Sequence, residues 1–167
     1  MDPYLAIASK RDERAYADTP IPADVRQRIL DAGRLSGSSK NRQRWEFVLV
    51  SGAAKHSLSE AVYAPENVAS AALVVAIVGE AGAFDTGRCA QNMMVAAWGD
   101  GVVSCPNGVR DADAAAQICG SEVRAILSFG YPARPRDPGS RSAQEWSARA
   151  NRKPLSELVR EVDQPPR

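Results

Sequence analysis

Two periods of apolar residues alternate along this chain. From Pro22 to about Leu35, Val25, Ile29, Ala32 and Gly33 recur on one helical face, while Arg26, Gln27, Arg28 and Asp31 fall on the other. Pro22 suits the first turn of that helix, because the Thr19-Pro20-Ile21-Pro22 stretch before it cannot be helical through its prolines. Gly37, Ser38 and Ser39 end it. Trp45 to Val50 is apolar and β-rich, and Leu73 to Val78 is an almost unbroken aliphatic run bounded by Gly79; both read as buried strands. Val102 to Cys105 and Val123 to Phe129 read as two further strands, with Pro106-Asn107-Gly108 as a turn between them and a helix at Ala112 to Cys119.

Further helices are predicted at Tyr4 to Ser9, Ala53 to Val62 and from Asp85, as N-cap, through Trp98 to Gly99 or Gly101. The Asp85 helix has no charge after Arg88 and is rich in alanine, so it is expected to be apolar nearly all round and buried, with a subunit interface as one place for it. Beyond Ala133 the composition changes: Arg134, Arg136, Arg141, Arg149 and Arg152 alternate with Pro, Ser and Gly. A short amphipathic helix at Pro154 to Val162 and a frayed end at Gln164 to Arg167 follow. Helices mixed with strands in this way give an α+β or α/β sandwich, and the spacing leaves strand order open.

A length of 167 residues suits one domain with a substantial core, and a net charge of +1 gives no bulk attraction to nucleic acid or membrane. The longest apolar run, Val68 to Val78, falls well short of the ~20 residues a membrane span needs. The start of the chain carries Asp2 and no apolar core of a signal peptide, so a cytoplasmic location is expected. Cys89, Cys105 and Cys119 form no CxxC pair and are expected as reduced, structural thiols, with exposure left open for Cys105. His56 is the single histidine, which excludes an ordinary histidine metal centre. No Ser-His-Asp, Cys-His or paired-carboxylate set is apparent.

The chemistry concentrates in two clusters. Lys10-Arg11-Asp12-Glu13-Arg14 leads into Tyr16, and Ser38-Ser39-Lys40-Asn41-Arg42-Gln43-Arg44 leads into Trp45. Cationic side chains with serine hydroxyls and loop amides are what a phosphate or a polar heteroaromatic ring needs, and the helix from Pro22 is expected to bring the clusters together. Each cluster alone also reads blandly: Lys10, Arg11 and Arg14 as a solvated face paired with Asp12 and Glu13, the serine loop as a helix terminus. Met93, Met94, Trp98, Trp45 and Phe47 read as core.

Taken jointly, these stretches resemble the FMN-dependent nitroreductase family. Lys10 to Tyr16 is similar to that family's R-R-S-x-R-x-F/Y opening, and Ser38 to Phe47 to its P-S-S-x-N-x-Q-P-W-x-F element. Asp85 to Ala97 is similar to its D-x-G-x-A-x-Q-N-x-x-L-A-A helix; Gly130-Tyr131-Pro132 and Arg152-Lys153-Pro154-Leu155 match its closing elements. The resemblance implies a three-layer α+β sandwich with a central mixed, mainly antiparallel sheet, in an interlocked homodimer. One domain spans residues 1–167, with about 133–167 as an arm on the partner subunit. It implies one FMN per subunit at the interface: Lys10, Arg11, Asp12, Arg14 and Arg152 at the phosphate, and Ser38, Ser39 and Asn41 at the ring and ribityl chain. Pro106, Asn107 and Gly108 fall where a backbone amide meets the reactive edge of the ring, and Gln91 and Asn92 are structural.

The function this implies is hydride transfer from NAD(P)H through the flavin to a nitroaromatic or quinone, with the flavin rather than a catalytic side chain doing the chemistry. Arg42 and Arg44 are expected at the entrance, favouring anionic substrates or the nicotinamide dinucleotide phosphates. Non-catalytic flavin binding, or a specialised chemistry such as dehydrogenation, dehalogenation or flavin fragmentation, are the alternatives. Three departures stand out. Asp12 replaces a serine, so either it pairs with an arginine or flavin is held weakly; Gly37 and Arg44 replace prolines; and the short Ser51 to Asn67 stretch implies an open cleft.

Overall fold

Strand and helix periods separate along the chain much as the apolar spacing dictates. The computed structural model describes residues 1–162, with helices α1 (Pro3–Ser9), α2 (Ala23–Arg34), α3 (Gly52–Glu60), α4 (Pro65–Ala69), α5 (Ala83–Gly99), α6 (Ala112–Cys119), α7 (Ala143–Ala148) and α8 (Leu155–Leu158). The strands are β1 (Glu46–Leu49), β2 (Leu73–Val78), β3 (Val103–Asn107) and β4 (Val123–Gly130). They form one sheet in the order β1-β2-β4-β3 with every strand pair antiparallel. A parallel bridge between Asp12 and Ser104, on the outer edge of β3, supplies the mixed character.

β2 explains the layering. All of its residues are buried, and they alternate between two cores. Leu73, Val75 and Ile77 meet Val25 and Ile29 of α2 and Cys89, Met93 and Ala97 of α5. Val74, Ala76 and Val78 meet Leu58 of α3, Val68 of α4 and Ala115 and Cys119 of α6. A period of two in a strand covered on both sides forces this division, since successive side chains leave opposite faces. Helices therefore lie on both faces: a three-layer α+β sandwich. α2 approaches α5 closely at Gly33, where an added Cβ would stand 3.0 Å from Met93 and from Phe47. Trp45, Met93, Met94 and Trp98 are core, as the sequence suggests, while Phe47 is partly buried.

Two compact bodies divide the chain: Lys10–Asp137, which holds the sheet and α2 to α6, and Met1–Ser9 together with the segment from Pro138 onward. In the second body α7 is a helix that composition did not announce. Its capping box joins Ser142 and Glu145, each side chain reaching the other residue's backbone. The amphipathic helix expected over Pro154 to Val162 is only Leu155–Leu158, and the frayed end expected at Gln164 to Arg167 lies outside the described residues.

Three local expectations are corrected. α5 starts at Ala83 with Gly82 as its N-cap, so Asp85 sits inside the first turn. α5 is not buried all round, because Phe84, Arg88, Gln91 and Asn92 face outward. Pro106-Asn107 is not a turn: β3 runs through Asn107, paired with Ile126, so the reversal begins at Gly108. Among the described residues no helix is long and apolar enough to cross a membrane.

Phe129 is fully buried in the α2/α5 core. Truncating it to alanine is expected to cost about 3–5 kcal/mol, the usual sum of lost transfer energy and residual cavity. Urea unfolding measures this directly, and a loss below about 1 kcal/mol would contradict the packing described.

Candidate functional site

The Lys10–Arg14 segment is held by backbone pairing to the free edge of β3. Glu13 N donates to Ser104 O at 3.1 Å beside the Asp12–Ser104 bridge, so the segment acts as a short fifth strand. Pairing at an open edge also uses donors and acceptors that would otherwise stay exposed. Further along, Ala17 N donates to Tyr131 O at 2.8 Å and Ala133 N to Ala15 O at 3.1 Å, which ties the segment to the Gly130-Tyr131-Pro132 corner.

The side chains carried by this strand form one polar cluster. Lys10 is nearly buried, its side chain 9% exposed, and its ammonium makes an ion pair with Asp12 and approaches Met94 Sδ at 3.6 Å. The Arg14 guanidinium lies against the Cys105 thiol; that contact, and then the Asp12 charge, raise its pKa further above the usual arginine value. Glu13 pairs with Arg136, a residue of the arginine-rich stretch. Tyr16 reaches inward, its hydroxyl 2.8 Å from Ser128 Oγ, and burial pushes its phenol up to about 12. Ser128 Oγ in turn accepts from Asn107 Nδ2 at 3.0 Å.

The residues expected at the reactive edge of a ring behave differently. Asn107 turns into the sheet, donating also to Cys105 O at 3.1 Å, while Pro106 and Gly108 are exposed. Cys105, for which the sequence leaves exposure open, is 1% exposed, and its Sγ lies 3.2 Å from Pro106 O. Ser104 Oγ and Asn107 Oδ1 are buried and find no partner among the described residues, a costly state that a ligand or water would relieve.

The second cluster is a strained loop. Lys40, Asn41 and Gln43 all have positive φ, near 50°, in a stretch without glycine. Backbone held in this region costs about 1–3 kcal/mol per residue and collects at functional sites. The loop is braced from inside and outside. Gln43 N donates to Ser38 Oγ at 2.9 Å, and Ser39 N donates to the Asp85 carboxylate at 3.2 Å. Asp85 is thus an anchor that the sequence pattern presents as a helix cap. Ser38, Ser39, Arg42, Arg44, Glu80 and Asp85 line a cavity of about 200 Å³, with Arg44 Nη1 3.6 Å from Glu80. Asn41 is exposed and points no side-chain bond at the chain among those described.

α2 does not bring the two clusters together. The Ser38–Arg44 loop feeds β1 and the Lys10–Arg14 strand lies beyond β3, at opposite edges of the sheet. Three strand spacings separate β1 from β3 and the Lys10–Arg14 strand adds a fourth, about 19 Å in all. α5 gives the same picture: Asp85 anchors one cluster and Met94 touches the other. Those positions stand about half a turn apart around the axis and about 13 Å along it. Arg152 belongs to the other body, where its Nη1 donates to Ala150 O at 3.1 Å. Arg11 Nη1 donates to Lys10 O at 2.7 Å.

Fold and motif order define the class: this is a nitroreductase-type α+β sandwich. Residues 7–81 match the nitroreductase family. Among curated proteins, 4-nitrobenzoate reductase from Pseudomonas putida is 35% identical over 65 residues, covering 39% of this chain and 29% of that protein's length. Among solved structures, a Desulfovibrio desulfuricans protein in complex with FMN superposes with a TM-score of 0.78 at 23% identity, covering 99% of each chain. The NADPH:FMN oxidoreductase from Vibrio harveyi, solved with NAD⁺, gives 0.80 at 23% identity over 97% of this chain and 77% of its own. The resemblance read from the motifs is borne out, by sequence in the first half and by fold over nearly the whole chain.

Burial sets a pH signature at Tyr16. Its ordinary pKa is near 10 and the folded value about 12, so the unfolded chain loses this proton first. The associated stability is fully present below pH 10 and lost as pH rises toward 12. Thermal unfolding of wild type is expected to show a steeper alkaline decline over that window than Tyr16→Phe; identical profiles would disprove the burial of this hydroxyl.

Proposed function

We propose that the protein is an FMN-dependent oxidoreductase that accepts a hydride from NAD(P)H and passes it to an electron-poor acceptor, a nitroaromatic or a quinone. The observation that carries this reading is the nearly buried Lys10 ammonium with an anion already seated on it, on the strand that also carries Arg14 and pairs with Ser104, whose Oγ has no partner among the described residues. The Asp12 carboxylate occupies the place a phosphate oxygen would take. A donor set of one lysine, one arginine and a serine hydroxyl suits a phosphate carrying about two negative charges. The flavin, when bound, supplies reversible two-electron chemistry, so the chain's own residues have only to bind, orient and shield it.

In this reading two copies build each site. One contributes Lys10 and Arg14 at the β3 edge, with Arg11 and Asp12 flanking, while Arg152 is assigned to the phosphate through the arm that packs on the partner subunit. The other contributes Ser38, Ser39 and Asn41 to the ring and ribityl chain. The separation of the clusters within one chain, with the packed sheet between them, supports this division. Pro106 and Gly108 supply backbone at the ring, and Asn107 braces that strand through Ser128. The exposed Leu155, Leu158 and Val159 of the arm support a second copy as their cover.

Arg42 and Arg44 line the mouth of the cavity beside Ser38, and we assign them to acceptors bearing a carboxylate. The relative that acts on 4-nitrobenzoate, by its name, supports the same class. As in the sequence reading, the site would operate in the cytoplasm.

Two experiments test the proposal. Purified protein supplemented with FMN is expected to hold a yellow chromophore that NADH or NADPH bleaches under anaerobic conditions. A protein that takes up no FMN refutes the proposal, and one whose bound flavin stays oxidised favours a non-catalytic flavin carrier. Replacing Arg42 and Arg44 together with alanine is expected to raise KM for 4-nitrobenzoate about fivefold, the effect of roughly 1 kcal/mol from exposed charges, without changing KM for a neutral nitroarene.

The assembly makes a separate expectation. Wild type is expected to sediment as a dimer, and Leu155→Asp with Leu158→Asp to shift it toward monomer in analytical ultracentrifugation. A monomeric wild type would remove the two-copy site.

A further inference from the structure

We infer, building on Lys10 and Arg14 as the phosphate seat, that Asp12 is a competitor for Lys10 that narrows the preference for FMN over riboflavin and keeps the flavin exchangeable. Asp12 and the phosphate want the same ammonium. Lys10 is nearly buried, and a cation in that position requires a counter-charge, which Asp12 supplies from two residues away. The backbone of Asp12 cannot retreat, because its bridge to Ser104 and the Glu13 N bond to Ser104 O pin it to β3. Its side chain is half-exposed, so the carboxylate can rotate toward solvent when another anion arrives.

The rotation has a consequence for selectivity. A phosphate that takes Lys10 breaks the ion pair and then faces a displaced carboxylate of its own sign on a backbone that stays in place. The nearby carboxylate of Glu13 is already paired with Arg136, so Asp12 is the negative charge that confronts the ligand. One like charge at such range in a partly dry site weakens a dianion on the order of tenfold or more. Riboflavin has no phosphate and leaves the Lys10–Asp12 pair intact. FMN thus gains less from its phosphate than the cations alone would give, and it comes and goes in the manner of a substrate.

Fluorescence quenching on the full chain, with FMN and riboflavin titrated at fixed ionic strength, tests this. Asp12→Asn is expected to tighten FMN on the order of tenfold and to leave riboflavin within twofold. Asp12→Glu, which keeps the charge, is expected to bind both flavins as wild type does. Lys10→Gln is expected to weaken FMN alone. If Lys10→Gln weakens FMN while Asp12→Asn does not tighten it, the competition is disproved and the phosphate seat stands. If Lys10→Gln binds FMN as wild type does, the seat itself is wrong and the competition falls with it. Equal tightening of riboflavin would also overturn it. So would loss of fold, by circular dichroism, in both Asp12→Asn and Asp12→Ser, since Asp12 would then be a counter-ion no ligand displaces.

Discussion

The structure depends on the burial of β2 from both sides. Six consecutive aliphatic positions are removed from water, each worth about 1.5–3 kcal/mol for the larger side chains, and their alternation assigns α2 and α5 to one face and α3, α4 and α6 to the other. With the middle of the sheet filled by packing, polar chemistry has room only at its edges. The β3 edge receives the Lys10–Arg14 strand and the β1 edge is entered from the strained serine loop. The inner sheet carries stability while the polar clusters gather at its margins.

The polar groups at those margins are organised by short, local contacts. Lys10 is satisfied by Asp12, Glu13 by Arg136, Tyr16 by Ser128, and the serine loop by Asp85. Each contact fixes a group that would otherwise search many rotamers, which is how a loop with three left-handed non-glycine residues can persist. Two of the buried thiols stand apart from these contacts: burial raises the pKa of Cys89, to about 11, and of Cys119, which keeps both protonated.

A donor-rich strand and a donor-rich loop on opposite edges of one sheet make sense as two halves of different sites. Where a second copy completes each half, cofactor binding and association become one equilibrium, because a ligand that bridges two chains stabilises the assembly that holds it. In that proposed assembly, the Lys10–Asp12 ion pair inside one half would tune how strongly the ligand adds to that equilibrium.

The amino-acid pattern by itself determined the strands around Phe47, Val75, Val103 and Leu127, the α2 helix, the helix through Met93, and the identity of the two donor clusters. Those follow from local periodicity and from residue chemistry, which a chain carries wherever it folds. Strand order, the edge on which each cluster lies, the extension of β3 through Asn107 and the burial of Cys105 came only with tertiary structure. The same holds for Asp85, which looks like a cap in sequence yet braces a loop 46 residues away. Partners so far apart in sequence meet only after the core has packed, and no local pattern encodes which edge of a sheet they will share.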